Sequence, residues 1–198
     1  MKCMLLDIFK ASVFLSTRSY LLIWVIMMAN NKTIGKIFLE ELKNEAVSTR
    51  KCLERIQLDK LYDWKPHPRS MQMGYLSTHI AGIPDWITHI ITKGDIDLDT
   101  YERVEIKTTE EMLRHFDKNI KNATDALETV SDEELEKTFA LKNKSEVLFS
   151  SSKRQIIGST INHLLHHRGQ LSVYMRLNDI PVPSIYGPSA DEKMLNNV

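Results

Sequence analysis

Seven histidines carry the chemical promise of this 198-residue chain, and two of them, His163 and His167, are four residues apart. On an α-helix that spacing is about 400° of rotation, so the two imidazoles lie roughly 40° apart in projection, one turn apart in height, within reach of one ion. With His163 at zero, Ile156, Leu164, Leu171 and Tyr174 fall at about 20°, 100°, 80° and 20°, so both histidines face the core, whereas His166 falls near 300° and points away. A third ligand must come from another helix. With His79 at zero, Leu76, Ile83, Trp86 and Ile90 fall at about 60°, 40°, −20° and 20°, which puts His79 in an inward stripe, while His89, near 280°, lies on the opposite side and is the weaker candidate.

Two readings of this trio stand at this point. Each histidine is a separately hydrogen-bonded core residue, or the three share a cation. Burying three imidazoles without a common partner leaves several donors and acceptors to satisfy, each costing about 1–3 kcal/mol if it fails. Imidazole ligands suit zinc, nickel, iron or copper, and three protein ligands with an open position is the pattern of a catalytic zinc site.

The elements that must position these residues read as helices. Ile34, Ile37, Phe38, Leu42, Ala46, Leu53 and Ile56 recur at helical steps and predict a first helix ending near Leu58. Trp64-Lys-Pro-His-Pro-Arg69 is a connection, with His67 a loop residue, and Ser70 is placed to cap a second helix that runs to Gly94-Asp95, kinked at Pro84. Thr108-Thr-Glu-Glu111 has the form of a capping box and opens a third helix carrying Met112, Phe116, Ile120, Ala123 and Leu127. Ser131-Asp-Glu-Glu134 opens a short turn, and Ser152-Lys-Arg-Gln155 opens the long fourth helix to about Asn178. Residues 138–149 lack a clear period and stay unassigned, Val147-Leu148-Phe149 reading as a cap over the helices or a short extended piece. With no convincing strand pattern, the fold class predicted is all-α, an antiparallel four-helix bundle.

Lysine plus arginine (26) equals aspartate plus glutamate (26), which gives no basic excess for nucleic acid and no acidic excess for disorder. The two cysteines, Cys3 and Cys52, have no paired spacing, so neither a disulfide framework nor a zinc–thiolate site is expected, and the default setting is a reducing cytoplasm. Residues 1–28 form a separate apolar extension, too interrupted by Arg18 and its polar neighbours for a span of roughly 20 residues. It reads as an upstream leader ahead of a start at Met27 or Met28, or as an anchor or signal segment. The domain proper is residues 29–198. Trp64 and Trp86 read as core aromatics, and Arg168 as a salt-bridge partner of Glu41 or Glu45.

Asn162-His-Leu-Leu-His-His-Arg-Gly-Gln170, Tyr174-Met-Arg-Leu and Pro183-Ser-Ile-Tyr-Gly-Pro-Ser-Ala-Asp-Glu192 resemble the DinB family, as do Trp64-Lys-Pro-His-Pro-Arg-Ser70 and Leu76-Ser-Thr-His79-Ile-Ala-Gly. The resemblance covers about residue 29 onward. It implies a DinB/YfiT-like four-helix bundle, a histidine triad of His79, His163 and His167 for a divalent metal ion, and a homodimer in a family known as damage-inducible. Relatives of the fold include transferases and isomerases that use a low-molecular-weight thiol as co-substrate against an electrophilic small molecule. The competing expectation is a non-catalytic, metal-stabilised dimeric module in stress response or binding.

Overall fold

Leu39, Leu42, Ala46 and Leu53 recur at steps of three, four and seven and are all buried, which is the stripe that makes Ile34–Leu53 a helix, α1. The computed structural model describes residues 33–101 and 104–193. The apolar segment 1–28 lies outside the described residues. After α1 come α2 (Leu58–Leu61), α3 (Met73–Thr92), β1 (Asp95–Asp97), α4 (Thr109–Thr129), α5 (Asp132–Glu136), β2 (Thr138–Asn143), β3 (Glu146–Ser152) and α6 (Lys153–Leu177). Among the described residues the chain is mostly helical, with one small sheet. No described helix is long and apolar enough to cross a membrane.

Helix α3 packs against α4 and α6, and α1 packs against the same two, so the long helices share one core. Met73, Leu76, Ile80 and Ile87 from α3 meet Phe116 and Leu127 from α4 and Ile157, Leu164 and Leu171 from α6 there, all nearly or fully buried. Burying a side chain of this size is worth about 1.5–3 kcal/mol each, so the stripes rather than helix propensity hold the site in place.

Local chemistry sets the ends. Thr108 Oγ1 accepts from the Glu111 amide and Glu111 returns a bond to the Thr108 amide, a complete capping box. Ser131 and Ser152 cap α5 and α6 through the amides of Glu134 and Gln155. Two boundaries differ from the sequence reading. Helix α1 ends at Leu53, and the chain turns before α2. Helix α3 begins at Met73, because Ser70 is used in a turn back to His67, and the Met73 and Gly74 amides donate to the carbonyls of Trp64 and Tyr62. Gly74 is required there: a Cβ would stand 2.2 Å from the Tyr62 ring. Helix α3 continues through Pro84, and the ring is buried.

The prediction of a fold without strands needs correction. Residues 138–149, left unassigned above, fall in the hairpin of β2 and β3, which runs on to Ser152, and residues 95–97 add β1 in the order β1-β2-β3. The first pair is parallel, with Ile96 opposite Leu141, and the second antiparallel, with Leu141 opposite Phe149 and a register shift just after it. Most of β3 is exposed, so its sequence shows no hydrophobic alternation.

Candidate metal centre

His79 projects from the middle of α3, and His163 and His167 from successive turns of α6. Their ligand nitrogens all lie within 4.8 Å of one another, and the Nε2 atoms of His163 and His167 are 2.7 Å apart. These separations bracket the ~3.4 Å that tetrahedral zinc with ~2.0–2.1 Å imidazole bonds requires. The rings of His79 sit 5.2 Å from His163 and 4.9 Å from His167, centroid to centroid. His167 is buried, while His79 and His163 are half-buried, so the cluster closes on the core side and opens outward.

The tautomer of His167 follows from its neighbour. Its Nδ1 lies 2.8 Å from Gln170 Oε1, an oxygen that only accepts, so Nδ1 carries the proton and Nε2 directs a lone pair at the cluster. This donor set fits a divalent transition ion. Burial lowers the pKa of His163 below its ordinary value, and His167 and His166 lower it further, which keeps a neutral, ligating imidazole at neutral pH.

Two compartments flank the cluster. On the His163 side a cavity of about 260 Å³ runs between α3, α6 and the sheet. On the His79 side a cleft of about 500 Å³ is lined by Tyr75, Asp85, Tyr101, Glu105 and His115 among others. Trp86 borders both, with its ring 5.9 Å from His79 and 5.5 Å from His163. Asp85 Oδ2 accepts from Tyr101 at 3.2 Å and stands 3.2 Å from His89 Nδ1. His115 Nε2 lies 3.0 Å from Asn119 Nδ2, and its pKa is pushed down chiefly by burial, with Asp85 opposing and Lys118 adding.

The structure thus brings together His79, His163 and His167 and leaves the others out. His166 is exposed; His89 belongs to the Asp85–Tyr101 group; His67 accepts from the Arg69 amide in its loop. Trp64 packs edge-on to Tyr174 at 5.5 Å, as a core aromatic should, but Trp86 borders both compartments instead. Sequence reasoning missed Gln170, although its position one turn after His167 was a signal. It also missed Asp85 and His115, whose approach to the site depends on how α3 and α4 pack. Arg168 does pair with Glu45, at 2.6 Å, and not with Glu41. Tyr186, itself largely exposed, caps that pair with its hydroxyl, accepting from Arg168 at 2.7 Å and donating to Glu45 at 3.0 Å. Cys52 is fully buried, and burial pushes its thiol up to about 11 against the opposing pull of Arg168 and Arg55, so it is no nucleophile.

The mostly helical fold with an open three-histidine cluster defines a class of candidate metalloproteins. The DinB family profile matches residues 27–194, and the chain belongs to that family. Among solved structures it is similar to a DinB-like protein from Bacillus subtilis (20% identity, TM-score 0.59, covering 74% of this chain and 95% of that one). It is also similar to a DinB-like protein from Bacillus cereus (22% identity, TM-score 0.57, 75% and 95%). Among curated proteins, no sequence matches.

Proposed function

We propose that the chain is a metal-dependent enzyme built on an antiparallel four-helix bundle, using a small thiol as co-substrate against an electrophilic small molecule. The observation that carries the reading is the convergence of ligand nitrogens from His79, His163 and His167 within 4.8 Å. Three imidazoles favour zinc or nickel, with iron and copper compatible. When bound, such an ion supplies a Lewis-acid position that lowers the pKa of a coordinated thiol or water.

The chain's own residues do the rest. Gln170 fixes the His167 tautomer. Trp86, Leu98 and Tyr101 line both compartments, one reaching His163 and the other His79, so two reactants can approach the histidines from different sides. That double access favours an enzyme over the alternative, a module in which the ion only braces the bundle, because a bracing site needs no approach. The Asp85–Tyr101 pair stands on the His79 side, where a hydroxyl and a carboxylate can hold or take a proton. Cys52, buried and protonated, takes no part.

The test is elemental analysis of the purified full chain beside His79→Ala and His163→Ala/His167→Ala, followed by thiol-consumption assays. Glutathione, coenzyme A and bacillithiol would each be paired with a reactive electrophile. About one ion per chain, lost in both variants, is expected, with turnover by at least one thiol. An intact ion without turnover with any thiol rejects the transferase, and melting of the bundle on metal removal assigns the ion to structure.

A further inference from the structure

The cavity on the His163 side has a composition that selects its occupant. Strand residues alternate faces, and paired residues share one. Ile96 and Leu98, Phe139 and Leu141, and Phe149 opposite Leu141 therefore present a single apolar face of the sheet to the cavity. The facing wall is Trp86 and Ile90 from α3 with Ile156 from α6, and the floor ends on His163. No charged side chain lines it among the described residues. Its hydroxyls make little claim: Thr160 donates to the Ile156 carbonyl at 2.8 Å, Tyr101 donates to Asp85 Oδ2 at 3.2 Å, and Ser159 lies exposed at the edge. Phe149 and Leu98, 54% and 40% exposed, form an apolar rim that water would otherwise cover.

We infer that this cavity binds the electrophilic reactant, and that this reactant is a small uncharged molecule with an aromatic or compact apolar body whose reacting end reaches His163. The size agrees. A cavity of roughly 150 Å³ lined by Leu, Ile and Phe holds benzene, so about 260 Å³ accommodates a ring with one or two short substituents. A charged ligand loses its hydration here with no partner to replace it. The polar groups of the site, Asp85, Glu105 and His115, stand in the other compartment, which leaves that one to the thiol. The sheet, absent from a bare helical bundle, is thus the element that chooses the substrate. This inference rests on the enzyme reading above for the role of the ligand, but its binding test does not.

The experiment is NMR titration of the full chain, metal-free and zinc-loaded, with 4-fluorotoluene, 4-fluorobenzoate and 4-fluorobenzylammonium, with ¹⁹F detection for the ligand and ¹H–¹⁵N correlation for the histidine rings. Neutral 4-fluorotoluene is expected to bind at least tenfold more tightly than either charged analogue, in both preparations, and to shift the ring resonances of His163 but not those of His67. Ser159→Trp, at an exposed helix position where folding is safe, fills the mouth and should weaken binding tenfold or more. Phe149→Ser, at the rim, should weaken it severalfold. Charged probes binding as well as the neutral one, no shift at His163, or unchanged binding in Ser159→Trp each overturn the inference. A chain that holds 4-fluorotoluene but no metal would overturn the enzyme reading and leave the cavity's selectivity standing.

Discussion

Replacing Gln170 by Leu tests whether the site works through the geometry described. Gln170 touches no reactant compartment; its carbonyl oxygen, 2.8 Å from His167 Nδ1, decides which ring nitrogen holds the proton. Leu keeps the bulk and removes the acceptor. The wrong tautomer then becomes accessible, with a proton on Nε2 pointing at His163 Nε2 only 2.7 Å away, where a lone pair is needed. Partners of this kind are worth about 10–100-fold in metal affinity, or about 1.4–2.7 kcal/mol. The side chain is exposed, so the metal-free protein should lose no more than the net value of one hydrogen bond, about 0.5–1.5 kcal/mol. Competition of zinc between the protein and a chromophoric chelator reads the affinity, and urea melts of the metal-free form read the stability. Gln170→Glu retains an acceptor and should hold zinc as well as the wild type or better. Zinc affinity of Gln170→Leu within twofold of wild type, or equal losses in the Leu and Glu variants, would refute the reasoning.

Two further outcomes follow from ion pairs. Arg168 is 2% exposed and paired with a half-buried Glu45, so Arg168→Met should cost up to about 3 kcal/mol in urea unfolding by leaving that carboxylate with the Tyr186 hydroxyl alone, while Arg168→Met/Glu45→Leu should regain most of it; a single-variant cost under about 1 kcal/mol would contradict the pairing. Glu134 is held at about 2, below its ordinary 4.5, first by Lys137 and then by Lys153. A depressed carboxylate stabilises the fold above its unfolded pKa and loses that contribution as pH falls toward the folded one. Melting temperature should therefore drop more steeply between pH ~4.5 and ~2 in wild type than in Glu134→Gln, and parallel curves would count against the pair.

The helices and the histidine trio were legible because both rest on a period of 3.6, which survives in one dimension. His163 and His167 share α6, and His79 shares a stripe with the core residues of α3. The sheet was not legible because β3 exposes Val147, Leu148 and Phe149 together, so the two-residue rhythm of a half-buried strand is absent. Helix-to-loop partners such as Asp85 with Tyr101, or Arg168 with Tyr186, depend on packing that no single stretch encodes. Trp86 shows the same limit: its place on the inward stripe was right, but which neighbours it would leave uncovered was set by the strands. Helix α3 starting at Met73 rather than after Ser70 reflects the Trp64 and Tyr62 carbonyls capturing its first amides.

The turn joining β2 to β3 places Lys144 and Ser145 at φ of 49° and 65°, a conformation unfavourable by about 1–2 kcal/mol per residue for side chains of this kind. Asp97 offsets it by accepting from both amides, at 3.0 and 2.7 Å. One carboxylate on β1 thus holds the turn of the hairpin, beside the β1–β2 ladder, and the three histidines sit on α3 and α6 rather than on the hairpin. Descendants of this chain can exchange or reshape the hairpin without touching the ligands, so taste in substrates and reactivity toward them can drift along separate evolutionary tracks.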